Sequence, residues 1–384
     1  MSRISSRQIT DQVIKKLNNE YNKLDKLNIM VLGKTGVGKS TLINSIFGEK
    51  MVLAGTGKPV TNDISKVEQD GFPLVLYDTP GLELTGNNDY SSLSKQITKL
   101  IKDNYTDKIV GNEIHCIIYC VNTVSRRFES AESSFLRDIL GKITIYNVPV
   151  IMVLTQAFSK NDAEALTNVI REENLPITDI IPVLADEYEF DEDITIPPYG
   201  VDTLTDKMAE ILPESVRNTF IALESASLTL KLKIAKSAVN TASLAAAVTA
   251  AIPVPLADTA VLIPDQIAML TGITLAFGFK LNKETTDSLI TGTMNAIGPT
   301  VLGKQMRFSL LKFIPGVGHV ISGTTAATIM ESLGLTYIKL ITMVYTGEIK
   351  MQEVNTPEGK KMIQRMFKGE MITAPAADKE ENNG

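Results

Sequence analysis

Tryptophan is absent from this chain, and cysteine and histidine occur only twice each. Cys116 and Cys120 lie on one apolar run at positions of equal parity, so they share a strand face and read as packing thiols. Two such cysteines form no disulfide or metal framework, and a reducing compartment fits. His115 sits in the same apolar run and His319 in a glycine loop. Neither has a carboxylate or cysteine at a spacing that suggests a metal or a catalytic triad. Positive charge is not in excess: the formal net charge is −6, which gives no bulk attraction to nucleic acid or acidic lipid. The first 27 residues carry polar and charged side chains throughout, so no leader peptide is read there. Residues 237–257 and 313–330 are uncharged. In the first, only Val239, Leu244, Val248, Ile252, Val254 and Leu256 are strongly apolar, worth roughly −2 to −4 kcal/mol of insertion. Pro253, Pro255, Asn240 and several hydroxyls oppose that gain. Pro315, three glycines and His319 interrupt the second. Both read as small-residue helix contacts inside a soluble domain.

What is present is a chain rich enough in apolar residues (44%, with 21% charged) to fold into roughly two or three domains. Ile9, Val13, Leu17, Tyr21 and Leu24 place one amphipathic helix over residues 1–27, packed on a neighbouring domain or a partner. Residues 28–213 then alternate. Strands are predicted at 28–32, 64–69, 74–77, 114–121, 148–154 and 180–184, and helices at 42–48, 92–108, 129–140, 161–172 and 200–212. Strand–helix alternation implies a largely parallel sheet with helices on both faces, and the neighbouring strands near 64 and 74 imply one antiparallel edge strand. From 214 to 350 the alternation stops. Alanine, leucine and threonine dominate, and prolines punctuate a smaller all-α domain of roughly five helices. A helical extension covers 351–373, and the polar residues 374–384 read as a disordered tail.

Gly33-Lys34-Thr35-Gly36-Val37-Gly38-Lys39-Ser40 fits the P-loop pattern G-x-x-x-x-G-K-[ST], with a strand before it and a helix after it. Glycines let backbone N–H groups turn inward around phosphates, and the helix N-terminus adds its partial positive charge. Gly33, Thr35, Gly36, Val37, Gly38, Lys39, Ser40 and Thr41 are the expected phosphate-binding residues. Lys39 would reach the β- and γ-phosphates, and Ser40 would ligate Mg²⁺. Some 45 residues on, Asp78-Thr79-Pro80-Gly81 ends a strand. Asp78 suits indirect Mg²⁺ coordination there, and the Gly81 N–H can sense the γ-phosphate.

Together these motifs resemble the Era-like, translation-factor class of P-loop GTPases. The resemblance implies a Ras-like mixed sheet, GTP/GDP with Mg²⁺, and a switch I threonine on the metal, for which Thr61 is the choice and Thr56 the runner-up. Lys39, Thr61 and Gly81 would then serve catalysis, and Ser40, Thr61 and Asp78 the metal. The base motif departs from the family's [NT]-K-x-D. Thr155-Gln156-Ala157-Phe158 follows the fifth strand, with Gln156 replacing lysine and Phe158 replacing the acid that reads guanine. Asp162 could substitute from a loop, and Ala185 sits where the family offers an N–H to guanine O6. Leu82 replaces the glutamine that orients attacking water, which implies slow intrinsic turnover. Arg126-Arg127 read as an exposed pair, with an arginine finger in trans as the alternative.

Further on, Pro253, Pro255, Asp258, Gln266 and Met269 follow a P-[IV]-P-x-x-D…Q-x-x-M pattern. It resembles the DUF697 (YcjF-like) helical domain that follows an Era-like domain in many bacterial proteins. Resemblance to the immunity-related GTPases is looser. The expectation is a cytoplasmic guanine-nucleotide switch that acts on an unidentified protein effector and not on nucleic acid. The alternatives are a membrane-associated GTPase activated by dimerisation, and a nucleotide-binding module with little hydrolysis.

Overall fold

A computed structural model describes residues 6–48, 64–69, 72–79, 89–107, 111–191, 194–251, 262–278, 289–291, 293, 323–354 and 356–367. The chain forms two compact units. One is Leu24–Leu230, and the other joins Met1–Lys23 to Lys231–Gly384.

The first unit is built on strands β1 (Leu27–Gly33), β2 (Ser65–Gln69), β3 (Phe72–Asp78), β4 (Cys116–Asn122), β5 (Val150–Thr155) and β6 (Asp179–Pro182). Their order in the sheet is β2-β3-β1-β4-β5-β6. All neighbouring pairs are parallel except β2–β3, so the expected antiparallel edge strand is β2. The helices α2 (Lys39–Phe47), α3 (Asp89–Thr106), α4 (Ser130–Ile143), α5 (Lys160–Glu172), α6 (Val201–Ile211) and α7 (Glu214–Leu223) complete the unit.

β1 is buried along its whole length, as a strand covered on both faces must be. Met30, Leu32 and Tyr119 point into a core closed by Leu93, Ile97, Phe135 and Ile139 of α3 and α4. On the opposite face, α2 and α7 lie against β1, and Phe47 meets Phe220 edge-on at 6.1 Å. Both cysteine thiols are buried and free, and burial pushes each up to about 12. His115 accepts a hydrogen bond at Nδ1 from the Asn28 N–H (3.0 Å). Burial holds its pKa below the ordinary value, so it is a neutral structural acceptor.

One boundary and one element differ from those read in the sequence. α7 was expected to open the helical domain after Pro213. Its Val216 and Phe220 are instead buried within the first unit, where the Ser225 N–H also donates to the Ile46 carbonyl (2.7 Å). An apolar face beside an uncovered sheet face is a stronger constraint than a proline. In addition, a hairpin of β7 (Tyr188–Asp191) and β8 (Ile194–Ile196) follows β6. Its strands, four and three residues long, are too short for their alternation to stand out in the sequence.

The second unit contains α1 (Ser6–Asn22), most of α8 (Leu228–Ala251), α9 (Ile263–Ala276), α10 (Gly323–Tyr345), α11 (Met351–Val354) and α12 (Pro357–Phe367). The amphipathic face of α1 buries Ile9, Val13, Leu17 and Tyr21, and α1 packs on α9. The N-terminal helix therefore belongs to the helical unit. Four helices are described between 214 and 350, and the proline-bearing stretch around Pro253 with Asp258 lies outside the described residues.

Small residues allow close helix approach. A Cβ on Gly334 of α10 would stand 2.5 Å from Val239 Cγ2 and 2.8 Å from Met269 Sδ. Thr274 and Tyr337 hydroxyls pair at 2.9 Å in the interior, and buried Lys231 donates to the Ala276 carbonyl at the end of α9 (3.1 Å). The stretch Ala326–Tyr345 of α10 is long and apolar enough to cross a membrane by length and composition. The core helix of a helical bundle meets the same test. Gly334→Ala should destabilise the chain by about 1–3 kcal/mol, the usual cost of overpacking. Denaturant unfolding with an unchanged midpoint would show that the α8–α9–α10 contact is looser than described.

Candidate functional site

The carboxyl ends of the parallel strands converge on the loop between β1 and α2, the place where open α/β sheets bind ligands. Gly33 ends β1 with φ 144°, and a Cβ there would meet the Cys120 carbonyl at 2.6 Å. Only glycine fits so near a neighbouring strand. Gly38 precedes α2 with φ 90°, the left-handed geometry that turns the loop into the helix. The Leu42 N–H then donates to the Gly38 carbonyl (2.9 Å), opening a helix whose first N–H groups lack intrahelical acceptors. Lys39 Nζ donates to the carbonyls of Gly33 (3.0 Å) and Lys34 (3.1 Å), so the cation lies back along its own loop. Thr35, Gly36, Ser40 and Thr41 are exposed on this surface.

The loop is held from two sides. From β5, Thr155 Oγ1 hydrogen-bonds the Val37 carbonyl and, at 3.1 Å, the Val121 carbonyl. The next residue, Gln156, adopts φ 51°, an uncommon value for a non-glycine residue. That turn directs Nε2 onto the Gly36 carbonyl (3.0 Å), and Asn122 Nδ2 donates to Gln156 Oε1 (3.0 Å). From α4, Glu132 and Glu129 bracket Lys34 Nζ at 3.0 and 3.1 Å. Burial opposes the charge on Lys34, but its bonds to Glu132 and Glu129 outweigh it and raise the pKa. Glu132 is only 3% exposed and also accepts from Tyr119 OH (3.3 Å).

Sequence reasoning placed Thr155 and Gln156 here but missed Asn122, Lys34, Glu129 and Glu132. The available signal was Glu-Ser-Ala-Glu at the start of α4. It forms a capping box in which Glu129 and Glu132 exchange side-chain-to-backbone bonds.

Asp78 ends β3 beside β1, paired in register with Val31. Its Oδ1 is buried and has no hydrogen-bond partner among the described residues. Burial raises its pKa, and Lys39 and the Thr79 N–H only partly oppose that. An orphaned, buried carboxylate oxygen at the end of the strand beside β1 is a hard oxygen donor that suits a divalent cation. Thr61, its runner-up Thr56, Gly81 and Leu82 lie outside the described residues.

At the expected base end, Phe158 stacks against Tyr188 with centroids 4.1 Å apart. Ala185 is half-buried, and Tyr199 OH donates to the Ala157 carbonyl (2.7 Å). Asp162, the expected substitute acid, is engaged elsewhere. It accepts from Arg126 Nη2 at 2.7 Å, and its N–H bonds Ser159 Oγ (3.2 Å) as part of the α5 N-cap. The Asp162 carboxylate is thus paired with Arg126, while only its backbone N–H serves the helix cap. Gln266 of the helical unit is buried, with no partner for Oε1 among the described residues.

Fold and site together define a P-loop nucleotide-binding unit. Residues 28–156 match the model of the family described as 50S ribosome-binding GTPase, about a third of the chain. Among curated proteins, the chain is 26% identical over 211 residues to neuronal-specific septin-3 of Danio rerio, covering 49% of this chain and 55% of that protein. It is 27% identical over 191 residues to GTPase Era of Clostridium kluyveri, covering 48% and 56%. The chain thus spans about half the length of these relatives. A structure of Toc33 from Arabidopsis thaliana in complex with Mg²⁺ and GMPPNP aligns at 18% identity and TM-score 0.34, covering 56% of this chain and 92% of that one.

Lys39→Ala should abolish tight triphosphate binding, since a charge-assisted phosphate contact contributes roughly 1.5–3 kcal/mol or more. Wild-type affinity in an equilibrium titration would remove the phosphate-site assignment. Asp78→Asn should act in two directions. The folded-state pKa of Asp78 is raised, so its stabilising contribution is complete below its ordinary value near 3.8 and lost as pH rises through the folded value. At neutral pH the ionised group is therefore a cost. The variant should melt higher without nucleotide, by roughly 1 kcal/mol, and the gain should vanish near the ordinary pKa. It should also bind triphosphate more weakly in Mg²⁺. A lower melting temperature at neutral pH would contradict this account.

Proposed function

We propose that this chain is a Mg²⁺-dependent guanine-nucleotide-binding protein that hydrolyses GTP slowly, with its helical unit as the output element. The carrying observation is the loop from Gly33 to Ser40, fixed at its rim by Thr155 and Gln156. Inward N–H groups, the α2 N-terminus and Lys39 would receive the phosphates. Ser40, Asp78 and Thr61 would hold the metal, which when bound neutralises phosphate charge. The match over residues 28–156 and the similarity to Era and septin-3 support GTP as the nucleotide.

Two features set the expected behaviour. Leu82 offers no hydrogen bond to water, so turnover would be slow in the isolated chain and would rise on self-association or with a partner. Phe158, paired with Tyr188, replaces a carboxylate with a ring, so base selectivity would come from stacking and main-chain contacts. On this reading the helical unit is a DUF697-like domain, and the location is cytoplasmic with nucleotide-dependent membrane contact.

GTP should be preferred over ATP only modestly, because a site without the acid forfeits about 10²-fold or more of discrimination. Competition of labelled GTP by ATP, ITP and XTP measures this. Discrimination beyond about 10⁴-fold would mean that an acid reads the base after all. Specific GTPase activity measured against protein concentration separates the readings. A flat, low value fits the switch, and a steep rise fits activation by dimerisation. Binding without turnover at any concentration leaves a nucleotide-binding module.

A further inference from the structure

The three-way contact of Lys34 with Glu129 and Glu132 is more than a surface ion pair. Lys34 is a P-loop residue, and its own carbonyl accepts from Lys39 Nζ (3.1 Å). Its side chain is mostly covered and held by Glu132 Oε2 at 3.0 Å and Glu129 Oε2 at 3.1 Å. Glu132 cannot move to follow it. Its carboxylate is buried, Tyr119 OH on β4 donates to Oε1 (3.3 Å), and the Glu129 N–H approaches Oε2 (3.5 Å). The α4 capping box thereby faces the P-loop with two carboxylates. That is an unfavourable arrangement next to a polyphosphate unless a cation lies between them. Lys34 is that cation. The same contact fixes the loop segment whose carbonyl faces Lys39.

We propose that Glu132, with Glu129, is a positioning residue for nucleotide binding: it clamps Lys34 so that the first turn of the P-loop is held open, and Lys34 shields the phosphates from both acids rather than binding them. This rests on the nucleotide-site reading above. The pattern also has a sequence form, a lysine directly after the first P-loop glycine paired with E-x-x-E at the start of α4.

The test measures GTP and GDP affinity, kcat and KM, with a melting temperature for each variant. Lys34→Met leaves both acids unpaired beside the phosphates. It should weaken GTP binding roughly tenfold or more and GDP binding less, while kcat at saturation stays within about twofold of wild type. Lys34→Arg should restore binding. The decisive variant is the double Lys34→Met/Glu132→Gln. It removes one of the two repelling charges, the buried one, and should bind GTP more tightly than Lys34→Met alone. If Lys34 is itself a phosphate ligand, the double variant recovers nothing and the proposal is overturned. Unchanged affinity in Lys34→Met overturns it as well. Should Lys34→Met fail to fold, Glu129→Gln on the exposed arm should give a smaller loss of GTP affinity in a stable chain, and no loss there counts against the clamp. Wild type that binds GTP, with Lys39→Ala that does not, isolates this result from the broader reading. Wild type without GTP affinity overturns both.

Discussion

A phosphate-binding loop has to point its N–H groups inward at a space that is filled only when ligand is present. Its carbonyls therefore face outward, and those must be satisfied by something that does not leave with the ligand. The described structure meets that constraint repeatedly. Thr155 takes the Val37 carbonyl, Gln156 the Gly36 carbonyl, and Lys39 the Gly33 and Lys34 carbonyls. The outward face of the loop is thereby tied to the end of β5, and through Lys34 to α4. Buried polar groups left unpaired are costly, so these ties hold the loop in shape independently of nucleotide.

The tie from β5 explains the altered base motif. Thr155 and Gln156 each use a polar side chain on the P-loop, so in this chain the pair serves loop support. Phe158 lies two residues on and pairs with Tyr188 of the acidic hairpin. Loop anchoring and base reading are thus separable functions of one short stretch, and in this chain the first persists while the carboxylate of the second is gone. Asp162 shows the same economy of roles, since the N-cap of α5 and Arg126 already engage it.

The helical unit follows a different logic. Its close contacts depend on absent side chains, as at Gly334 against Val239 and Met269, and α1 closes the bundle from the far end of the sequence. Because α1 shares a unit with α9–α12, the alternating segment lies in sequence between two parts of one helical body. Linking a nucleotide site to such a body requires two arrangements of it with different stability, and packing by small residues permits shifts without large cavities.

Periodicity and motif chemistry determined much of this protein. The alternating strands and helices, the antiparallel edge, the P-loop and the Asp at the end of β3 all follow from local patterns, because each depends on residues within one or two turns of each other. The tertiary structure alone decided the rest. That α7 belongs to the sheet and α1 to the helical unit depends on which apolar face lies near which uncovered surface, and no local pattern encodes it. The same holds for Glu132. Its partners Lys34 and Tyr119 are 98 and 13 residues away, so its role came into view only when α4 was laid against β4 and the P-loop. Arg126 lies 36 residues before Asp162, so their ion pair came into view only in the fold, since ion pairing depends on distance in space.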